Sequence, residues 1–122
     1  VARMQLRPPQ PARRVQTLSG GNQQKSVIGR WLAVDPAVLL LDEPTRGVDV
    51  GAKFDIYSII RDMTAKGMAV ILVSSDLPEL IGMCDRIAIL RDRRIVSDVS
   101  ANGLGEDELI NRCYGRLDGV AA

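Results

Sequence analysis

The sequence lacks several features that would place it in a familiar functional class. It contains no histidine, so no site within it can use an imidazole side chain. Aromatic residues make up 3% of the chain, and Leu, Ile and Val must therefore supply most of the core. The formal net charge of +1 gives no support for nucleic-acid binding through a broad basic surface, although the N-terminal segment is locally rich in arginine.

Membrane-spanning and redox features are equally scarce. No apolar run approaches the roughly 20 residues that a membrane helix needs, and no signal-peptide pattern is present, so we expect a chain that is soluble by itself. Cys84 and Cys113 stand far apart and match no metal-binding spacing. We interpret them as reduced, partly buried thiols of a cytoplasmic protein. The chain starts at Val1, which fits either a truncated product or an unusual start.

Length and periodicity predict α/β structure with a modest core. We interpret the proline- and arginine-rich residues 1–17 as a loop or linker, and a helix should begin behind Ser19. The apolar residues of this helix recur at helical spacing and predict one buried face, made of Val27, Ile28, Trp31, Leu32 and Val34. Val38–Leu41 is apolar without alternation, as expected of a strand covered on both sides in a parallel sheet.

The later elements continue the alternation of helices and strands. The pattern predicts a helix from about Ala52 to Lys66, a strand over Met68–Val73, a short helix with apolar Leu77, Leu80, Ile81 and Cys84, strands over Arg86–Leu90 and Arg94–Val99, and a helix over Glu106–Tyr114. A tight turn at Asp92-Arg93 should join the last two strands, although such turns usually contain glycine. Residues 18–100 therefore read as a parallel α/β sheet with flanking helices, and residues 101–122 as a C-terminal helix and tail.

The segment Leu18–Gln23, Leu-Ser-Gly-Gly-Asn-Gln, is suited to hold a phosphate group. Ser19 takes the N-cap position of a predicted helix whose first amides lack partners within the helix. Aligned peptide dipoles add partial positive charge there, and the absence of a Cβ at glycine lets the backbone approach phosphate oxygens. Ser-Gly-Gly alone is more often an ordinary capping turn. The full motif, placed ahead of an acidic strand end, favours a phosphate ligand held by Ser19, Gly20, Gly21, Asn22 and Gln23.

Two carboxylates follow the first predicted strand. Asp42 and Glu43 should lie at the carboxyl edge of the sheet, where open α/β sheets bind ligands. Side chains of neighbouring strand residues diverge, so the two acids can take different tasks. Asp42 is suited to hold Mg²⁺ beside phosphates, and Glu43 is suited to orient an attacking water. An acidic surface turn is a fair alternative for Asp-Glu alone, but a poor one for Leu-Leu-Leu-Asp-Glu-Pro-Thr.

In this order the two motifs resemble the signature and Walker B motifs of the ATP-binding-cassette (ABC) ATPases. The resemblance implies a P-loop NTPase-like fold, ATP and Mg²⁺ as cofactors, and ATP hydrolysis. No Gly-x-x-x-x-Gly-Lys-Ser/Thr loop is present, so the Walker A half of such a fold is missing from these residues. We therefore expect the C-terminal part of a nucleotide-binding domain, which belongs to an ATPase but is inactive when isolated.

Two further segments extend the resemblance. Arg46-Gly47-Val48-Asp49 stands where the family has its D-loop, which implies that Asp49 communicates across a dimer of cassettes. Ser75 stands in the place of the family's switch histidine. A serine can form hydrogen bonds but cannot present an imidazole, so this cassette's own nucleotide site is expected to be degenerate. The run Asp42–Lys53 is most similar to the second cassette of monosaccharide importers of the ribose, galactose, xylose and arabinose type.

The resemblance also implies partners and a location. Cassettes of this family pack head to tail, and each signature turn covers ATP held by the Walker A loop of the other cassette. The implied partners are a second cassette, transmembrane permease subunits and, indirectly, a periplasmic or extracellular sugar-binding protein, with no nucleic acid. The implied location is cytoplasmic, peripheral on the inner face of the cell membrane, and the implied function is to energise sugar import.

Two alternatives remain open from the sequence. One is a non-transport ABC-type ATPase of translation or chromosome maintenance. Such translation factors usually follow Asp-Glu-Pro-Thr with Asn-His-Leu-Asp, unlike Arg46–Asp49 here, and such chromosome ATPases carry long heptad repeats that this sequence lacks. The other is a catalytically inactive truncated fragment, whose missing strands would leave an apolar sheet edge uncovered.

Overall fold

A computed structural model describes residues 14–116, which divide into a first unit ending at Val73 and a second unit beginning at Ser74. The first unit contains a short 3-10 helix at Val15–Thr17, α1 at Gly20–Leu32, β1 at Val38–Asp42, α2 at Val50–Thr64 and β2 at Ala69–Val73. The second contains α3 at Leu77–Met83, β3 at Arg86–Arg91, β4 at Arg94–Ser100 and α4 at Glu106–Cys113. Of the predicted linker and tail, residues 1–13 and 117–122 lie outside the described residues.

The first unit is built on the predicted parallel strands. β1 pairs with β2 in register from Val38 opposite Ala69 to Asp42 opposite Val73. α2 begins at Val50, before the predicted start at Ala52, because the Asp49 carboxylate accepts a hydrogen bond from the Ala52 amide at 3.0 Å and so caps the helix earlier.

The predicted buried face of α1 is only partly right: Ile28 is buried as predicted and Leu32 is half-buried, but the other three residues are exposed. Val27 and Trp31 are 49% and 56% exposed, and Val34, just beyond the helix, is also exposed. The buried residues of α1 are Gly21, Lys25 and Ile28, which also recur at helical spacing. Hydrophobicity alone assigned the face to the larger apolar side chains, whereas the observed face is set by what fits against α2.

The expectation that β1 is covered on both sides is also wrong for the residues described. Leu39 and Leu41 are buried, but Leu40 is 70% exposed, and its register partner Ile71 on β2 is 56% exposed. Because side chains alternate along a strand, one face of this two-stranded sheet packs inward and the other is left uncovered by the first unit. Within the first unit, the apolar run of β1 therefore has one face that is buried, made of Leu39 and Leu41, and one that is exposed, which includes Leu40.

The second unit is an antiparallel hairpin flanked by two helices. β3 pairs with β4 from Arg86 opposite Ser100 to Arg91 opposite Arg94. Its core consists of Ile87, Ile89, Ala101 and Leu109. The apolar residues predicted for the short helix pack against this core: Leu77, Leu80 and Ile81 in α3, and Cys84 directly after it. The helical periodicity predicted for these α3 residues is confirmed. Among the described residues, none of the helices combines the length and hydrophobicity needed to span a bilayer.

The predicted turn between β3 and β4 is confirmed. Asp92 and Arg93 both have positive φ values, 50° and 64°, as a two-residue hairpin turn of the type I′ kind requires. Asp tolerates this left-handed conformation better than most residues, whereas Arg gains nothing from its side chain there.

Replacing Arg93 with Gly should therefore stabilise the 122-residue chain. We expect Arg93→Gly to raise the free energy of unfolding by about 0.5–1 kcal/mol, because relief of the left-handed strain outweighs the added entropy of glycine in the unfolded chain. Urea denaturation followed by circular dichroism measures the change. Arg94→Gly is the matched control: it lies in β4 and should lose stability, so equal effects of the two substitutions would contradict the prediction.

Candidate nucleotide-binding site

The signature turn, defined as Ser19–Gln23, forms the N-terminus of α1. The Ser19 hydroxyl accepts a hydrogen bond from the Asn22 amide at 3.4 Å, and the Ser19 carbonyl accepts one from the Gln23 amide at 2.8 Å. The Gln23 side chain also donates to the Leu18 carbonyl at 2.8 Å, which holds the chain entering the helix. Ser19 and Gly20 are exposed. The turn is therefore ordered by local hydrogen bonds, and its tip is open to the exterior.

Gly21 has a packing role that differs from the expected one. It is buried, and a Cβ built on it would overlap the Cβ of Ala52 on α2 and lie 3.4 Å from a methyl group of Val48. The absence of a side chain at Gly21 thus lets α1 and α2 approach closely, independently of any ligand. At Gly20 the added Cβ would lie 3.6 Å from the Gly47 carbonyl oxygen, an ordinary contact.

A second contact between these helices is an ion pair that sequence reasoning missed. Lys25 Nζ lies 2.9 Å from Asp55 Oδ2, with the Lys25 side chain 4% and the Asp55 side chain 37% exposed. We call the Gly21–Ala52 contact and the Lys25–Asp55 pair together the α1–α2 junction. A lysine within an amphipathic pattern is usually assigned to the solvent face, so only a search for an acid at matching spacing on the next helix could have suggested it.

The two predicted carboxylates lie at the carboxyl end of β1. Asp42 is the last residue of the strand and is exposed. The Glu43 amide donates to the Val73 carbonyl at 2.8 Å, and Glu43 has a left-handed φ of 47°. A left-handed glutamate is unusual, and backbone strain of this kind persists where surrounding structure enforces it, often at functional sites. The chain therefore turns sharply at Glu43, directly after Asp42.

The loop after Glu43 is held by burial and by its own backbone hydrogen bonds, and it leads into α2. Pro44 and Thr45 are buried, the Arg46 amide donates to the Glu43 carbonyl at 3.2 Å, and the Val48 amide donates to the Thr45 carbonyl at 3.2 Å. Asp49, the predicted D-loop aspartate, is exposed and caps α2. Asp49 thus has a local structural role that the sequence reasoning missed, although Asp ahead of a helical pattern is a known capping signal.

Ser75, the predicted switch residue, belongs to the second unit. It is exposed and lies ahead of α3, where the Ser74 hydroxyl accepts from the Asp76 amide at 3.0 Å and Asp76 caps the helix through the Glu79 amide at 3.1 Å. Its role toward a nucleotide stays a prediction. The structure thus brings Ser19–Gln23, Asp42, Glu43 and Asp49 into one unit.

The pKa values of the Cys84 thiol and of the Asp98 carboxyl, both in the second unit, are shifted. Burial raises the pKa of the Cys84 thiol, and the nearby charges of Asp85 and Glu79 raise this pKa further. A thiol with a raised pKa is a poor nucleophile near neutral pH, which agrees with a structural cysteine. On the exposed hairpin, the hydrogen bond from Arg86 lowers the pKa of Asp98. Both shifts follow from local packing and surface pairing.

Solved ATP-binding cassettes share this architecture. The dimeric cassette MJ0796, in a post-hydrolysis state bound to ADP and Pi, is similar with a TM-score of 0.72 and 26% identity, over 84% of this chain and 44% of that one. The ATP-binding cassette MJ1267 of an ABC transporter gives 0.67 and 27% identity, over 84% of this chain and 39% of that one. The predicted fold class is confirmed: the chain has part of the P-loop NTPase-like fold of an ABC ATPase.

Sequence relatives agree with this class. A family model described as ABC transporter matches residues 2–46. The ribose import ATP-binding protein RbsA of Corynebacterium glutamicum is 53% identical over 104 residues, 85% of this chain and 20% of that protein. The galactose/methyl galactoside import ATP-binding protein MglA of Clostridium tetani is 46% identical over 110 residues, 90% of this chain and 22% of that protein. The chain belongs to the ABC transporter family and spans about a fifth of the length of these relatives.

Substitution of Gly21 tests its packing role. Gly21→Ala should lower the free energy of unfolding of the 122-residue chain by about 1–3 kcal/mol, because the new Cβ overlaps Ala52 and forces the helices apart. Gly20→Ala is the matched control and should be neutral or gain up to about 1 kcal/mol, because its Cβ fits and alanine favours the helix. Urea denaturation compares the two variants, and equal stabilities would exclude the packing explanation.

Proposed function

We propose that this chain is part of the ATP-hydrolysing subunit of a sugar importer, and that its signature turn covers ATP bound to a second cassette. The observation that carries the proposal is that the tip of the turn, Ser19 and Gly20, is exposed. This tip lies at the N-terminus of α1, which is held in place by its contacts with α2. A helix N-terminus with open amides suits a terminal phosphate. Because the turn is exposed and not internal, it suits the phosphate of a nucleotide that is bound to a second cassette.

The chain's own residues fit different parts of phosphoryl transfer. Ser19 and the first amides of α1 would donate hydrogen bonds to a γ-phosphate, with Asn22 and Gln23 keeping the turn in shape. Asp42 would contact Mg²⁺ and Glu43 would orient the attacking water on this cassette's own nucleotide. Asp49 would face the other cassette while capping α2. Ser75 in place of a histidine makes this second site the weaker of the two.

The residues present fit only part of a magnesium site. Among residues 14–116 no group of three or more His, Cys, Asp and Glu side chains could hold a metal ion. Mg²⁺ is usually bound through one or two carboxylates together with phosphates and water, so an exposed Asp42 suits one ligand of a site that the nucleotide completes. When bound there, Mg²⁺ neutralises charge on the β- and γ-phosphates.

The proposal includes the partners and location of an importer motor. A second cassette would supply the Walker A loop, membrane permease subunits would convert closure of the cassettes into transport, and a sugar-binding protein would deliver the sugar to those subunits. The names of the relatives support this, since they are import ATP-binding proteins for ribose and for galactose or methyl galactoside. The chain would then lie on the cytoplasmic face of the membrane.

Two substitutions in a complete ATP-binding subunit that contains this chain test the asymmetric arrangement. Ser19→Arg should reduce steady-state ATPase activity to background, because a long cationic side chain blocks the turn that covers the stronger site. Glu43→Gln should lower the activity by a smaller factor, because it affects the weaker site. Turnover measured in the reverse order would refute this assignment, and ATP binding to both variants by fluorescence titration separates loss of catalysis from loss of fold.

The 122-residue chain by itself should show no ATPase activity above background and weak or undetectable ATP binding. The sequence contains no phosphate-cradling Gly-x-x-x-x-Gly-Lys-Ser/Thr loop, and the signature turn acts on nucleotide held elsewhere. Phosphate release by the pure chain, compared with its Glu43→Gln variant, is the measurement. Robust ATP hydrolysis by the pure chain that Glu43→Gln abolishes would contradict the proposal that the signature turn acts on nucleotide held elsewhere.

A further inference from the structure

We propose that the α1–α2 junction is a positioning device that fixes the signature turn to the D-loop, so that the two loops move as one body. The inference rests on the proposed function, since it names the residues that aim the signature turn. Lys25 and Asp55 are its positioning residues, and neither belongs to the motifs that contact nucleotide in the proposal.

The junction joins corresponding ends of two helices. The signature turn begins α1 and the D-loop begins α2, where Asp49 is the cap. Gly21 lies against Ala52 in the first turns of both helices, and a Cβ on Gly20 would already touch the Gly47 carbonyl of the D-loop. Moving the N-terminus of α1 relative to that of α2 would therefore disrupt the close-packed contact between Gly21 and Ala52.

The ion pair lies one helical turn further along both helices. Lys25 follows Gly21 by four residues and Asp55 follows Ala52 by three, so both contacts lie on the same facing surfaces. The Lys25 ammonium is almost fully buried and is held 2.9 Å from Asp55 Oδ2. Sliding or rotation of α1 would separate a buried charge from its counterion, which is costly in a low-dielectric surrounding.

Two contacts of different kinds therefore restrain α1 on α2. Close packing at Gly21 limits how near the helices lie, and the directional charge pair limits rotation and sliding. Rigid elements joined in this way transmit displacement as a unit. A change at the D-loop on formation of a cassette dimer would consequently reposition Ser19 and Gly20, which lie at the other side of the junction.

Amide hydrogen exchange of the 122-residue chain, followed by nuclear magnetic resonance, tests the link. The reporters are the amides of Gln23 and Lys53, which make the first backbone bonds of α1 and α2, and the reference is the Ala69 amide bonded to the Ala37 carbonyl in the same unit. Asp55→Asn should raise exchange at both reporters by about tenfold while the reference changes less than about twofold.

Two further variants separate positioning from general destabilisation. Asp55→Glu keeps the charge and should restore protection at both reporters. Lys25→Met keeps the apolar stem without leaving an unpaired buried charge, so it decides the result if Asp55→Asn does not fold. Increased exchange at only one reporter, or an equal increase at the reference, would overturn the proposal, because independent helix ends or global unfolding would explain it.

Activity of a complete ATP-binding subunit containing this chain gives the second readout. Asp55→Asn should lower kcat by about tenfold, Asp55→Glu should restore it, and Ser19→Arg should abolish it. Unchanged kcat in Asp55→Asn beside loss in Ser19→Arg would overturn the positioning role alone. Full activity in Ser19→Arg would instead overturn the proposed function, while the exchange experiment would still decide whether the two loops are linked.

Discussion

The fit of α1 against α2 is the constraint on which the candidate site depends. Gly21 permits the close approach, and Lys25 with Asp55 sets the register of one helix on the other. A lysine is one of the residues least often buried, and it is tolerated here because Asp55 neutralises its charge. The same contact lies beside the first turn of α1, where the proposed phosphate would bind, and beside the end of the loop that leads from β1 into α2.

The carboxylate end of the site follows a different physical rule. Parallel pairing brings the ends of β1 and β2 level at Asp42 and Val73, and one further hydrogen bond extends the pairing to Glu43. The chain then reverses through a left-handed glutamate into a loop anchored by buried Pro44 and Thr45. Strain at Glu43 is sustained because both sides of it are held, by the sheet before and by the buried loop after.

Local features were predictable from the sequence, and contacts distant along the chain were not. The Ser19 cap and the Asp92-Arg93 turn depend on neighbouring residues, and both were predicted. The buried face of α1 depends on Ala52 and Asp55, and Asp55 lies 30 residues after its partner Lys25 in the chain. The hydrophobicity of α1 alone therefore predicted burial of Val27 and Trp31, which are exposed. Likewise, four apolar residues of β1 predicted cover on two faces, because a sequence run does not say which neighbours lie within reach.

The residues of the family motifs divide by what holds them in place. Gly21 is fixed by packing, Asp49 by its cap, and Pro44 by burial, so local structure already explains their identity. Ser19 also caps α1 through the Asn22 amide, so local structure explains part of its identity. Asp42 is exposed at the end of β1, and little in the packing of the first unit requires an aspartate there. Residue types that folding leaves open are the ones most informative about ligands. The case for a nucleotide partner therefore rests on exposed Asp42 and on the exposed tip of the signature turn, Ser19 and Gly20.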